Sequence, residues 1–325
     1  MLFHSDKTPI ELKVIHLNQK QQKRREQLLA AKNDKNGLKQ LKKSLAKQAK
    51  KALKDNLKGK NKGKKSVYVI DFDGDIKASA VKHLREEIST ILSCAEQGDE
   101  VVVRLESPGG LVNGYGLAAA QLVRIKDANL HLTICVDKVA ASGGYMMACV
   151  ADKIYAAPFA VIGSIGVVAQ LPNFNKVLKN HDIEYEMFTA GDYKRTVTIF
   201  GENDDKDRAK FQQEIEQTHQ LFKHFVTTYR PKLDLDAVAT GEHWYGEDAL
   251  NLGLVDELKT SDAYLLEKMQ TQEVYVLHSQ TKPTLAQKLG FAAMAEQSAS
   301  CLIDMVSDKL PQVITQLNNG KRSWF

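Results

Sequence analysis

The stretch LHLTICVDKVAASGGYMMACVA, residues 130–151, contains a strand, a loop and a helix in immediate succession, and it decides the fold class. Its first seven residues, LHLTICV, are mostly apolar and include β-branched side chains, which is typical of a buried strand. SGGYMMACVA, at the other end, is a short apolar run that predicts a helix. Ser142 therefore stands where a loop ends and a helix begins, and the placement of its hydroxyl needs an explanation.

The same alternation of strands and helices continues on both sides of this stretch. The remaining predicted strands are SVYVIDF, EVVVRLE, the two halves of KIYAAPFAVIGSIGVVAQ, and IEYEMFTA. The remaining predicted helices are ASAVKHLREEISTILSCAE, LVNGYGLAAAQLVRI, NFNKVLKNH and residues 204–229, followed by shorter helices towards the end of the chain. This order predicts an α/β fold in which the strands are largely parallel.

Charge is unevenly distributed along the 325 residues of the chain. Residues 1–65 contain 20 Lys and Arg against 5 Asp and Glu, whereas residues 66–325 contain 25 against 35. We interpret residues 1–65 as a basic helical arm, whose helix begins near Gln19 and ends in a linker near GKNKGKK. Such an arm suits either a solvated spacer or contact with an anionic membrane surface. Nucleic acid is not expected as a partner, because the arm lacks aromatic side chains that stack on bases and the rest of the chain is acidic.

The rest of the composition argues against several classes of protein. Apolar residues make up 43% and charged residues 26% of the chain, which is typical of a soluble globular protein. The sequence has no run of about 18 apolar residues, and the start MLFHSDKTPIELK lacks the apolar stretch of a signal peptide. The cysteines stand singly in apolar surroundings, so we expect buried free thiols instead of disulfides or a metal site. They are Cys94, Cys135, Cys149 and Cys301.

Two predicted loops at the carboxyl ends of strands carry glycines. In ESPGG, residues 106–110, Pro108 fixes one backbone angle and the glycines permit a turn whose amides could bind a developing negative charge on oxygen. DKVAASGGY, residues 137–145, places Ser142 at or next to a helix N-terminus. Each loop also has an ordinary explanation, since Pro-Gly-Gly is a turn signal and Ser is a frequent N-cap. Because functional groups collect at this edge of α/β sheets, we expect the two loops to form one site with a nucleophile and oxyanion donors.

A serine nucleophile needs a base that takes its proton. None of the nine histidines lies between Gly143 and Asn180, and those that follow this range have contexts that predict solvation or packing. Lys194, in TAGDYKRTVT, follows a predicted strand and could approach the hydroxyl from a separate loop. Lys138, four residues before Ser142, is the alternative, although it could instead position the loop. A lysine acts as a base only when burial or a nearby positive charge disfavours its ammonium form.

Five stretches, taken in order, resemble peptidase family S49, the family of signal peptide peptidase A. They are RLESPGGLVNGYG, VDKVAASGGYMMACVADKI, APFAVIGSIGVVAQLPNF, TAGDYKRTVT and GEHWYGEDALNLGLVDEL. The resemblance extends from about Ser66 to Leu258 and implies a ClpP/crotonase-like spiral of ββα units. We therefore divide the chain into the basic arm of residues 1–65, a serine peptidase domain of residues 66–260 and a C-terminal helical extension of residues 261–325.

The resemblance implies a serine endopeptidase that needs no cofactor and no metal. Carried onto this chain, it makes Ser142 the nucleophile, Lys194 the general base, and the amides of Gly109 and Gly143 the oxyanion donors. The implied reaction is hydrolysis of peptide bonds in signal-peptide remnants or in membrane and envelope proteins. The resemblance also implies a homo-oligomer whose active sites are completed by neighbouring subunits.

The lining of the substrate cleft is less closely specified. Gly110, Gly144, Gly163 and Ser164 are the candidates, although a glycine-rich strand end would explain GSIGV, residues 163–167, equally well. Met146 and Met147 could line an apolar S1 pocket or belong to the core.

Relatives of this kind carry an N-terminal membrane anchor, which this sequence does not include. We therefore expect association with the bacterial inner (plasma) membrane through a segment outside this chain, with the basic arm next to the bilayer. The positive-inside rule places such an arm on the cytoplasmic side, whereas the family's role leaves the side open. Two other functions stay open, namely an acyl-CoA-binding enzyme of the crotonase kind and a non-catalytic membrane-associated scaffold.

Overall fold

The structure is a computed structural model that describes residues 10–33 and 64–281, together with a few single residues between 37 and 50. Most of the predicted linker, Cys301 and the helices expected after residue 281 lie outside the described residues. Residues 12–279 form one compact unit, and the few described residues beyond that range are grouped separately. The predicted peptidase domain of residues 66–260 lies within this unit.

The described elements alternate much as the sequence predicts. The strands are Ile10–His16 (β1), Ser66–Asp73 (β2), Glu100–Glu106 (β3), His131–Val136 (β4), Val139–Ala141 (β5), Lys153–Ala156 (β6), Val161–Gly163 (β7), His243–Tyr245 (β8), Glu257–Leu258 (β9) and Glu273–Thr281 (β10). The helices are Leu17–Lys32 (α1), Val81–Cys94 (α2), Val112–Asp127 (α3), Gly143–Ala148 (α4), Asn175–Asn180 (α5), Asp205–Tyr229 (α6), Leu235–Val238 (α7), Gly246–Asn251 (α8) and Ser261–Thr271 (α9).

The strands form two sheets. The larger sheet has seven strands in the order β1-β10-β2-β3-β4-β6-β9, and every pair from β10 to β9 is parallel. The smaller sheet has the order β5-β7-β8, in which β5 and β7 are parallel and β8 is antiparallel. A strand of the large sheet, a short strand of the small sheet and a helix thus follow one another in β4, β5 and α4. This ββα unit and the parallel sheet confirm the predicted α/β fold class.

The parallel strands are buried on both faces, which explains their continuous apolar sequences. Along β3, Val101 and Val103 belong to the large core cluster, which includes side chains of α2, α3 and α4. Val102 points to the opposite face, where it packs in a second cluster with Tyr264 of α9. This alternation with a period of two fixes the register of the strands.

One predicted strand is absent from the fold. Residues 183–190, IEYEMFTA, have no regular structure, although Ile183, Tyr185 and Met187 alternate with acidic residues as in a strand. All three apolar side chains are exposed. A strand needs a neighbour that completes its backbone hydrogen bonds, and no strand of the described residues pairs with this segment.

The C-terminal region is less helical than the sequence predicts. Within the described part of residues 261–325, only α9 is helical, because Glu273–Thr281 forms β10 and pairs with β2. Ser279 ties this strand to α2, since its N–H and its hydroxyl both donate to the buried Glu87 carboxylate at 2.7 and 2.8 Å. The arm likewise contributes a strand, β1, ahead of the expected helix α1. No helix among the described residues is both long enough and apolar enough to cross a bilayer.

Candidate active site

The loop after β3 joins the small sheet through Ser107. Its N–H donates to Val139 O at 2.8 Å, and its carbonyl accepts from Ala141 N–H at 3.0 Å. These two bonds make an isolated parallel bridge between Ser107 and Ala140. The ESPGG loop is therefore fixed against the strand that leads directly into Ser142.

The predicted nucleophile and both predicted oxyanion donors occupy one place. Gly109 has a φ of +91°, and a Cβ atom there would lie 2.7 Å from Ser142 Cβ and 2.8 Å from Gly143 N. Only glycine combines this left-handed backbone with so close an approach. The two glycine loops therefore lie against each other.

Ser142 has a strained backbone and an unengaged hydroxyl. Its φ is +53° and its ψ is −118°, a conformation that costs a residue other than glycine on the order of 1–3 kcal/mol. The turn is held because Ser142 N–H donates to Gly163 O at 2.8 Å and Met146 N–H donates to Ser142 O at 3.0 Å. Ser142 stands at the N-cap position of α4, as one interpretation expects, but its half-buried side chain makes no capping hydrogen bond. A sharp turn from strand to helix that presents a serine hydroxyl is a known arrangement for a nucleophile.

Neighbouring glycines allow the backbone to approach the turn closely. Gly143 is the first residue of α4, so its amide has no acceptor within the helix. A Cβ atom on Gly143 would collide with the ring of Tyr115, 2.7 Å from Cδ2. A Cβ atom on Gly144 would lie 2.5 Å from Ser107 O, and one on Gly110 would collide with the carbonyl oxygen of Ile76. The glycines predicted for this region are therefore required by packing.

The Gly109 amide already has a partner. It donates to Ser107 Oγ at 3.1 Å, and Ser107 Oγ lies 2.6 Å from the hydroxyl of Tyr115. The Tyr115 hydroxyl donates in turn to the carbonyl oxygen of Asp75 at 2.8 Å. Tyr115 and Ser107 are fully buried, and burial raises the pKa of the Tyr115 phenol, so the hydroxyl stays protonated as a donor.

The GSIGV segment lies beside the nucleophile. Gly163 has a φ of +103°, a Cβ atom there would lie 2.8 Å from Trp244 Cε3, and its carbonyl accepts the Ser142 amide. Ser164 follows with a φ of +53°, and its N–H donates to Glu242 O at 2.6 Å. Both cleft candidates therefore stand next to Ser142 through the pairing of β5 with β7.

The two candidate lysines differ in their surroundings. Lys194 lies in an exposed turn, where its N–H donates to Gly191 O at 3.1 Å, and its side chain makes no hydrogen bond with Ser142. Lys138 donates to Glu106 at 2.9 Å, and this carboxylate raises the pKa of the Lys138 ammonium. A raised pKa is the opposite of what a lysine base needs. The structure therefore brings Ser142 close to Gly109 and Gly143, but no hydrogen bond of the described residues joins Lys194 to Ser142.

Histidine does not replace the lysine. Within residues 10–33 and 64–281, no histidine is hydrogen-bonded to Ser142. His219 of α6 contacts Ile165 O at 3.1 Å through Nε2, and His243 is exposed in β8. The same part of the chain contains no cluster of His, Cys, Asp and Glu that could hold a metal ion.

The sulfur-containing residues near the site belong to the core. Met146 and Met147 are buried in the large core cluster, so they do not form an open S1 pocket. Cys94, Cys135 and Cys149 are free thiols, of which Cys94 is exposed, contrary to expectation. Burial raises the pKa of the Cys135 thiol to about 12 and that of the Cys149 thiol further, which makes both unreactive.

Sequence reasoning missed Ser107 and Tyr115. A serine before Pro-Gly-Gly is typical of a turn, and a tyrosine in GLVNGYGL has the spacing of an ordinary core residue. The available signal was the position of Ser107, a hydroxyl-bearing residue two positions before the predicted oxyanion donor Gly109.

Comparison with protein families gives two adjacent matches. Residues 124–275 match the model of Peptidase family S49, and residues 3–122 match the model of the Peptidase family S49 N-terminal region.

Individual proteins agree with the family match. The chain is 58% identical over 246 residues to the Probable protease SohB of Haemophilus influenzae, which covers 76% of this chain and 69% of that protein. It is 51% identical over 271 residues to the Probable protease SohB of Buchnera aphidicola subsp. Schizaphis graminum, covering 82% and 78%. Among solved structures, the 1510-N membrane-bound stomatin-specific protease in complex with a substrate peptide aligns at 16% identity with a TM-score of 0.39, covering 70% of this chain and 96% of that one.

Proposed function

We propose, because this chain belongs to peptidase family S49, that Ser142 and Lys194 form the catalytic dyad with which it hydrolyses peptide bonds. Family membership makes the chain a peptidase. The observation that supports Ser142 as the nucleophile is its strained turn, which presents a free hydroxyl against Gly109 and Gly143.

The proposed reaction is acyl transfer. Neutral Lys194 takes the proton of Ser142 Oγ, which attacks the carbonyl carbon of the peptide bond and forms a tetrahedral oxyanion. The amides of Gly109 and Gly143 donate to that oxyanion. Lys194 then gives the proton to the leaving amine. In the second half of the reaction Lys194 takes a proton from water, which attacks the acyl-enzyme, and the released Ser142 oxygen takes that proton back.

We propose that Lys194 reaches Ser142 from a neighbouring subunit of a homo-oligomer. Two features of residues 168–200 support this arrangement, namely the exposed Lys194 and the many exposed apolar side chains of the same segment. Such surface is unusual on a monomeric protein and marks an interaction site. The exposed apolar residues are Val168, Leu171, Phe174, Val177, Ile183, Tyr185, Met187, Phe188, Tyr193, Ile199 and Phe200.

The substrates we propose are signal-peptide remnants or membrane and envelope proteins, and the proposed location is the bacterial inner membrane. The basic helix α1 supports contact with an anionic membrane surface, because its sequence contains five Lys and Arg among sixteen residues and no side chain of it is buried.

The experiment that tests this function is intact-protein mass spectrometry after treatment with a fluorophosphonate. The wild type should gain one adduct, whereas Ser142→Ala and Lys194→Ala should gain none. Lys179→Ala is the matched control, because Lys179 is an exposed lysine of the same region that pairs with Glu202. Lys138→Ala should also keep the adduct.

Two results would contradict the proposal. A folded wild type that gains no adduct would favour the scaffold or the acyl-CoA enzyme. An adduct that persists in Lys194→Ala but disappears in Lys138→Ala would show that Lys138, and not Lys194, is the general base.

A further inference from the structure

We infer that Ser107 and Tyr115 are positioning residues, which together fix the orientation and the spacing of the two amides that bind the oxyanion. This inference rests on the proposed function, since it assigns a role within the same site. Neither residue touches the reacting atoms, so each acts through the backbone of Gly109 or Gly143.

The hydrogen bonds that begin at Gly109 have a defined direction. Tyr115 has one hydroxyl hydrogen, and it is donated to Asp75 O at 2.8 Å. The hydrogen in the 2.6 Å contact between the two hydroxyls must therefore come from Ser107. A lone pair of Ser107 Oγ is then left to accept the Gly109 N–H at 3.1 Å. The orientation of the Gly109 peptide thus depends on a series of hydrogen bonds, here called the hydrogen-bond chain, which ends at Asp75 in the loop after β2.

The same tyrosine supports the other donor directly. The Gly143 backbone lies on the Tyr115 ring so closely that a Cβ atom would collide with it. Tyr115 therefore contacts Gly143 with its ring, and its hydroxyl is linked to the Gly109 amide by two hydrogen bonds through Ser107. The two donor residues also approach each other closely, since a Cβ atom on Gly109 would lie 2.8 Å from Gly143 N.

The chemistry explains why this arrangement acts on the transition state. In the resting protein the Gly109 amide is bonded to a neutral hydroxyl. When the oxyanion forms, the amide that these hydrogen bonds hold in place donates to a charged oxygen, and charge-assisted hydrogen bonds are roughly twice as strong as neutral ones. A neutral substrate carbonyl offers no such gain. Loss of the chain should therefore lower kcat and leave KM nearly unchanged.

The test compares two fully buried tyrosines whose hydroxyls each donate to a backbone carbonyl, of which only Tyr115 is also linked to Gly109. Tyr115→Phe keeps the ring behind Gly143 and removes the hydroxyl. Tyr145→Phe is the matched control, because Tyr145 is also fully buried and its hydroxyl donates to a backbone carbonyl, Leu254 O, at 2.9 Å. We expect Tyr115→Phe to lower kcat on a peptide substrate about tenfold or more, since removal of one oxyanion donor costs about 100- to 1,000-fold. Both variants should lower the melting temperature by a similar amount, because each loses one buried hydrogen-bonding hydroxyl. In Tyr145→Phe, however, kcat should be unchanged.

A second variant tests the chain itself. Ser107→Ala should lower kcat as Tyr115→Phe does, and the double variant should be no slower than the slower single one, because both remove the same chain.

The outcomes separate this inference from the proposed function. An active wild type with Tyr115→Phe and Tyr145→Phe equal in kcat would overturn the inference alone. A Ser107→Ala variant faster than the wild type would also overturn it, because the chain would then restrain the donor. A wild type without adduct or cleavage would overturn the proposed function, and this inference with it.

Discussion

Ser142 and Gly109 illustrate how far single residues could be predicted. Both loops can be recognised in the sequence by their glycines, and both follow predicted strands. Functional loops of α/β sheets collect at the carboxyl ends of the strands, so the two loops could be expected to meet. The hydrogen bond of the Gly109 amide to Ser107 could not be predicted, because the orientation of the Ser107 hydroxyl depends on Tyr115, a side chain of α3. Residue types indicate chemistry, whereas the partners of a buried hydroxyl depend on tertiary packing.

Gly143→Val tests the tight packing of the nucleophile turn. The new side chain would have to displace either Tyr115 or the turn itself, since even a Cβ atom collides with the ring. We expect casein cleavage to fall nearly as far as in Ser142→Ala. Casein hydrolysis by the purified variants measures this.

The control for that variant is another helical glycine. Gly116→Val introduces the same side chain next to Tyr115 in sequence, but a Cβ atom there meets nothing within 4 Å. It should retain cleavage. Normal cleavage by Gly143→Val would show that the turn tolerates displacement.

At the scale of elements, the sequence predicted the central strands and long helices well because their patterns are complete within one segment. The strand β10 was missed, since its place beside β2 is set by a contact distant in sequence. A second distant contact joins β10 to α2, where the buried carboxylate of Glu87 accepts two hydrogen bonds from Ser279. Burial raises the pKa of Glu87 above its ordinary value of 4.5, although the bonds from Ser279 oppose the shift.

Glu87 should make the stability of the fold depend on pH. Because its pKa is higher in the folded protein than in the unfolded chain, its contribution is fully present below about pH 4.5 and is lost as the pH rises through the folded pKa. Glu87→Gln keeps an acceptor oxygen for Ser279 and has no charge. We expect the stability of this variant relative to the wild type to increase as the pH rises from 4.5 towards neutrality.

Urea unfolding midpoints across that pH range measure the effect. Glu86→Gln is the control, because Glu86 is an exposed neighbour on the same helix. A constant difference between Glu87→Gln and the wild type at all pH values would show that the carboxyl does not titrate in this window.

At the scale of the whole molecule, the segment IEYEMFTA shows where prediction from one chain fails. Its alternation is that of a strand, but the apolar side chains lie exposed and no described strand pairs with it. If the proposed homo-oligomer forms, this pattern would reflect burial against a neighbouring subunit, which one chain alone does not contain.

Mixing of inactive variants tests the shared site. In a ring where each Ser142 is completed by Lys194 of the next subunit, Ser142→Ala and Lys194→Ala chains combined in equal amounts should regain about a quarter of wild-type activity, because random heterologous contacts join two intact partners that often. Cleavage of a peptide substrate after joint refolding measures this. Mixtures that stay inactive although they assemble would place both residues of a working site in one subunit.

The exposed position of Lys194 has a consequence for the life of a newly made chain. Many proteases are synthesised as zymogens, in which a propeptide keeps the site silent until it is removed. A subunit whose serine lacks its lysine would need no propeptide, since dilution alone would keep it harmless. Assembly of the proposed homo-oligomer would then be the activating signal, and destruction of the wrong proteins during synthesis would be avoided without a cleavage step.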